Sequence, residues 1–107
     1  MKDMGSTEEM YGSQRISSKI VKDKGLVGKK LVIKGTSIEL DEGENRIVLT
    51  FNEIKEDMKL NKTNARLLAK ELGDDYELWV GHAISLHIVD TTWAGEKTDG
   101  VRVGVVE

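Results

Sequence analysis

Apolar residues recur every second position in several stretches of the chain and every third or fourth in one. In "RIVLTFN", residues 46–52, Ile47, Leu49 and Phe51 fall on one side and Val48, Thr50 and Asn52 on the other. That period of two is the mark of a half-buried strand. "VGKKLVIKGTSIEL", residues 27–40, holds the β-branched run Leu31-Val32-Ile33, then Gly35, then a continuation to Ile38. A glycine inside such a run predicts a bulge or a bend where another backbone comes close. "DEGEN" at 41–45 is a turn with Gly43 free to take a positive φ. "EIKEDMKL" fits a third, polar strand centred on Met58 to Leu60. Further on, Ile84, Leu86 and Ile88 alternate with Ser85, His87 and Val89. "AGEKTDG" (94–100) is read as a hairpin loop, and Val101, Val103 and Val105 face one way in a last strand.

The period changes in "LNKTNARLLAKELGDDYELWVG", residues 60–81. Ala65, Leu68, Ala69 and Leu72 make one apolar helical stripe, with Lys62, Arg66 and Lys70 opposite. Asn61 caps the helix start and Gly73 stops it. Asp74 with Glu77 predicts a second cap for one more turn, Tyr76 to Trp79. The opening residues 1–20 carry Gly, Ser and charge without a period; they predict a mobile tail, with a transient turn at Ser6 to Glu9.

The chain order is therefore β-β-β-α-β-β: a mainly β domain over 21–107 with one helix over roughly Lys62 to Leu72. Five strands with a helix between the third and fourth predict an OB-like Greek-key barrel, the helix plugging one end. Leu49, Leu68, Ala69, Leu72, Ile84 and Val103 are then core residues. An SH3-like barrel and a two-layer α+β sandwich are the competing architectures.

The stretch from Leu60 to Val103, and more loosely "GKKLVIKGTSIE", resembles a family of small proteins encoded by bacteriophages and prophages. The shared features are Leu-Asn-Lys-Thr-Asn before a short helix, Gly-Asp-Asp, a Trp-Val-Gly turn and a closing Arg-Val strand. The chain departs from the family pattern after the fourth strand, where His87-Ile88-Val89 stand and no proline occurs. The resemblance implies a phage-associated origin and an OB-like barrel; the family's members are mostly of unassigned function.

Composition narrows the chemistry. The chain has 107 residues, enough for one domain, with 38% apolar and 33% charged residues. It contains no cysteine, so disulfides and thiolate chemistry are excluded. No apolar run is long enough for a membrane span and no signal-peptide core is visible, which predicts a soluble protein of the host-cell cytoplasm. Formal charge is −3; residues 1–24 carry five Lys/Arg against four Asp/Glu, and the remainder eleven against fifteen. A nucleic-acid site would have to be a local patch.

Catalytic and metal readings find little support. The two histidines, His82 and His87, are five apart on a strand and face opposite ways. Asp41, Glu42 and Glu44 lack the spacing of a calcium loop. Asp74 and Asp75 are explained by capping. No enzyme activity, cofactor or metal is expected. OB-folds bind oligonucleotides on strands 2 and 3 and the flanking loops, by stacking on aromatics and by Lys/Arg along the phosphates. The parts available are Trp93 in the 4–5 loop, Lys97 beside it, Arg102 on strand 5, Lys59 and Lys55 near strand 3, and Arg46 at the start of strand 2. Single-stranded DNA is the first expected partner. A phage or host protein, met through the acidic face and strand edges, is the second.

Overall fold

The computed structural model describes residues 15–93 and 95–106. The turn expected at Ser6 to Glu9, Tyr11 and most of the expected tail lie outside the described residues. Five antiparallel strands form one sheet: β1 (Leu31–Asp41), β2 (Glu44–Phe51), β3 (Met58–Lys59), β4 (Ala83–Trp93) and β5 (Glu96–Val106), in the order β3-β2-β1-β4-β5. Two α-helices accompany them, α1 (Ser18–Asp23) and α2 (Lys62–Leu72), with a 3-10 turn at Tyr76–Trp79. The mainly β reading and the chain order from β1 onward hold; the count of one helix does not.

The helix at Ser18–Asp23 starts within the expected tail (residues 1–20) and ends inside the expected domain. Ser17 caps it by accepting from the Ile20 N–H at 3.3 Å, and Val21 is fully buried in the core. At six residues it is too short to stand alone in water. Tertiary contacts hold it: Ile16 donates its N–H to the Asp57 carbonyl at 2.7 Å, and Val21 and Leu26 are buried in the core.

β1 is shared between two ribbons. Its first residues, Leu31 and Val32, pair with Ile84 and Ala83 of β4. From Ile33 onward it pairs with β2 out to Asp41. The register shifts between Ile33 and Gly35, which is the bulge that the glycine predicted. A Cβ at Gly35 would stand 3.1 Å from the Thr50 hydroxyl. After the bulge Thr36, Ile38 and Leu40 share the face of Leu49, Ile47 and Asn45, but Ile38 and Leu40 are exposed there. Glu42 (φ 51) and Gly43 (φ 80) are both left-handed, the I′ turn that matches strand twist in a two-residue hairpin.

The core lies between the sheet, α2 and the 3-10 turn. Leu49, Leu68 and Ile84 are wholly inaccessible and Val103 nearly so; Ala69 and Leu72 are half-buried against them. Trp79 is buried, its indole N–H donating to the Gly73 carbonyl at 2.8 Å. Asn61 accepts from the Asn64 N–H at 2.8 Å and Gly73 ends α2. The 3-10 turn is capped by Asp75, which accepts from the Glu77 N–H at 3.1 Å, one residue later than the expected Asp74.

The sheet is not closed. Its edge strands β3 and β5 do not pair, and each edge has another occupant. Beside β3, Arg15 forms a parallel bridge with Asp57. Along β5, the side-chain amide of Asn64 donates to the Val101 carbonyl at 2.9 Å and accepts from the Val103 N–H at 3.2 Å. Asn64 thus does for β5 what a neighbouring strand would do.

Candidate functional site

The face expected to carry ligand is that of β2 and β3, and the outer face of β1 lies beside it. Alternation along each strand places Ser37, Glu39 and Asp41 beside Val48, Arg46 and Glu44, with Lys59 opposite Val48. Arg15 reaches this face from outside β3. Its guanidinium holds both Glu39 oxygens at 3.0 and 3.2 Å, while its Nε donates to Asp57 at 2.7 Å. Lys59 lies 3.1 Å from Asp41 and 3.6 Å from Glu39. Glu44 receives Arg46 at 3.2 Å and Lys62 at 3.7 Å. Four cations meet four carboxylates, so the face is close to neutral in itself.

Titration behaviour follows from these contacts. The hydrogen bond from Arg15 is the main force holding the Glu39 carboxyl below its ordinary value, with the charges of Arg15 and Lys59 adding to it. The same bond raises Arg15 above its own, against a desolvation cost. Arg46 and Lys59, both singled out for phosphate, are already engaged by carboxylates. An anion approaching them must compete with fixed negative charge.

The other expected contacts sit elsewhere. Trp93 is not in a loop: it is the last residue of β4 and pairs with Glu96, and β5 takes in Glu96 to Gly100 of the stretch read as a loop. Lys97 pairs with Thr92 and is exposed; Arg102 pairs with His87 and is half-buried. Lys55 is exposed in the β2–β3 connection. None of Lys55, Lys97 and Arg102 makes an ion pair among the described residues. The structure therefore divides the six expected residues: Arg46 and Lys59 share the outer face of one ribbon, while Trp93, Lys97 and Arg102 belong to the other.

Two features have no local signal in the sequence, and a third joins residues that alternation already sets on one strand face. Arg15 stands in what reads as a tail. Glu56 is 3% exposed and paired with Lys24 of the segment after α1, its Oε1 lacking a hydrogen-bond partner among the described residues. Burial pushes the Glu56 carboxyl up, but the hydrogen bond and charge of Lys24, its own backbone N–H and the charge of Lys55 outweigh this and leave it below its ordinary value. Finally, Ser85 Oγ lies 2.8 Å from His87 Nε2. These two residues share a strand face, and the contact satisfies a buried hydroxyl.

A groove of about 260 Å³ runs between α2 and β5, lined by Leu67, Glu71, Val103, Gly104 and Val105. It contains none of the expected cations. Among the described residues no group of three or more His, Asp or Glu side chains could hold a metal ion, and no helix is long and apolar enough to cross a membrane. No protein-family model matches the chain, and no curated protein or solved structure matches it either.

Proposed function

We propose that the chain is a non-enzymatic OB-type binding module of phage origin that holds single-stranded DNA in the host cytoplasm. The observation that carries this reading is topological. The order β3-β2-β1-β4-β5, with a helix between β3 and β4, is the order of an OB barrel opened between its third and fifth strands. In such modules the β1–β2 and β4–β5 connections flank the ligand. Here both are long two-stranded arms: β1, β4 and β5 each run eleven residues, well past the pairing that joins the two ribbons.

The division of cations favours the β4–β5 arm as the phosphate-contacting side, with Trp93 as the stacking residue. Arg102 stands on the strand face of Glu96 and Trp93, and Lys97 on the opposite face near the arm's tip; Lys55, in the β2–β3 connection, is a separate contact. An acidic chain sets the expected affinity in the micromolar range at low salt. The test is a fluorescence anisotropy titration of labelled oligo-dT at low and moderate salt. Arg102→Ala and Lys97→Ala should each weaken binding and flatten its salt dependence, since each removes about one phosphate contact. Lys59→Ala should leave the salt slope unchanged. No anisotropy change at high micromolar protein in low salt removes nucleic acid as the ligand.

A protein-interaction or virion-assembly role is the second reading. It is favoured by the self-paired outer face and by the exposed aliphatic side chains Ile38 and Leu40 on the β1–β2 arm. A silent oligo-dT titration would put it first.

A further inference from the structure

One edge of β1 is left without a partner. β1 pairs with β4 only at Leu31 and Val32, yet continues against β2 to Asp41. From Thr36 to Leu40 its far edge bonds to no backbone among the described residues. The hairpin turn decides which groups point there. Asp41 and Glu44 flank a two-residue turn and form a hydrogen-bonded pair, as do Glu39 with Arg46 and Ser37 with Val48. Thr36, Ile38 and Leu40 therefore turn their N–H and C=O groups away from β2. Two of these residues also expose aliphatic side chains, Ile38 at 43% and Leu40 at 71%.

An open edge combined with exposed aliphatics is a template for another strand. The bulge and Lys34 guard only its lower end. We propose that this edge is where two copies of the chain meet, β1 against β1, antiparallel about Ile38. Pairing about Glu39 would set two Glu39 carboxylates directly opposite, which is unfavourable. Pairing about Ser37 would set Leu40 against the second copy's Lys34. Pairing about Ile38 places Ile38 opposite Ile38, Leu40 opposite Thr36, and Ser37 opposite Glu39. The bulge at Lys34 and the turn at Glu42 then close the ladder at both ends. The four aliphatic side chains form one ridge, and the β3-β2-β1 halves of the two copies join into one six-stranded layer. This assembly does not depend on what the module binds.

The chain has no cysteine, which makes a direct test available. Hydrogen-bonded partners in an antiparallel pair have Cα atoms about 5.5 Å apart, within the roughly 4.4–6.8 Å that a disulfide spans. Under mild oxidation Ile38→Cys should run as a covalent dimer on a non-reducing gel. Leu78→Cys, at a position 68% exposed on the 3-10 turn, should remain monomeric at the same concentration. Sedimentation velocity should give a dimer for the unaltered chain and a monomer for Leu40→Lys, with the same thermal melt for the isolated subunit. A monomeric unaltered chain at high micromolar concentration, or equal cross-linking of the two cysteine variants, overturns the proposal.

Discussion

A single carboxamide holds the edge of β5. Asn64 is 2% exposed and satisfies both Val101 and Val103. Replacing it by leucine strands two backbone groups, which should cost about 2–3 kcal/mol in urea denaturation. Asn64→Asp tests the chemistry more closely. At neutral pH the carboxylate cannot donate to the Val101 carbonyl, so the variant should be the less stable of the two. Its stability should recover as pH falls, because a protonated carboxyl both donates and accepts as the amide does; a variant insensitive to pH would show that the edge contact contributes nothing. Such roles are hard to read from a sequence. Asn64 stands three residues after the helix cap, where a polar residue has an ordinary local explanation. Arg15 is similar: nothing near it in the chain announces Glu39, twenty-four residues on.

At the scale of elements, legibility follows where each element finds its partners. β2 and α2 were readable because their own periods, caps and stops specify them: Asn61, Gly73 and the Leu68 stripe all stand where local rules place them. Leu68→Ala should cost about 2–4 kcal/mol, a cavity in a site with no solvent access. The β4–β5 arm was read too short because "EKTDG" is polar. Both faces of its outer half meet water, so a polar composition is compatible with a strand there; Thr91 and Thr98 hydroxyls even bond across it at 2.8 Å. α1 was missed because its stability is tertiary. The Lys24–Glu56 pair ties that segment to the β2–β3 connection. Since folding lowers the Glu56 carboxyl from its unfolded value of about 4.3, its contribution is complete above that value and disappears as pH falls through the folded one. Denaturant midpoints measured from neutral pH down to pH 3 should therefore drop for the unaltered chain. Glu56→Gln should start lower and fall less; parallel acid limbs would exclude Glu56 as a contributor.

For the whole molecule, strand number, strand order along the chain and the position of α2 were available from periodicity, whereas closure was not. Whether β3 meets β5 is decided by what else reaches those edges, and here Arg15 and Asn64 arrive first. Two ribbons diverging from a short shared base follow, and with them the division of cations between a self-neutralised face of one ribbon and the other ribbon, where Lys97 and Arg102 make no ion pair among the described residues. The claim that the β4–β5 arm contacts a single strand is tested most directly by amide chemical-shift mapping. Oligo-dT would be added to ¹⁵N-labelled protein at low salt. The account predicts progressive, saturable shifts at Trp93, Lys97 and Arg102, with little change at Arg15 and Asp57. A spectrum that stays fixed throughout the titration, or shifts confined to α2 and the Leu67–Glu71 groove, would contradict it.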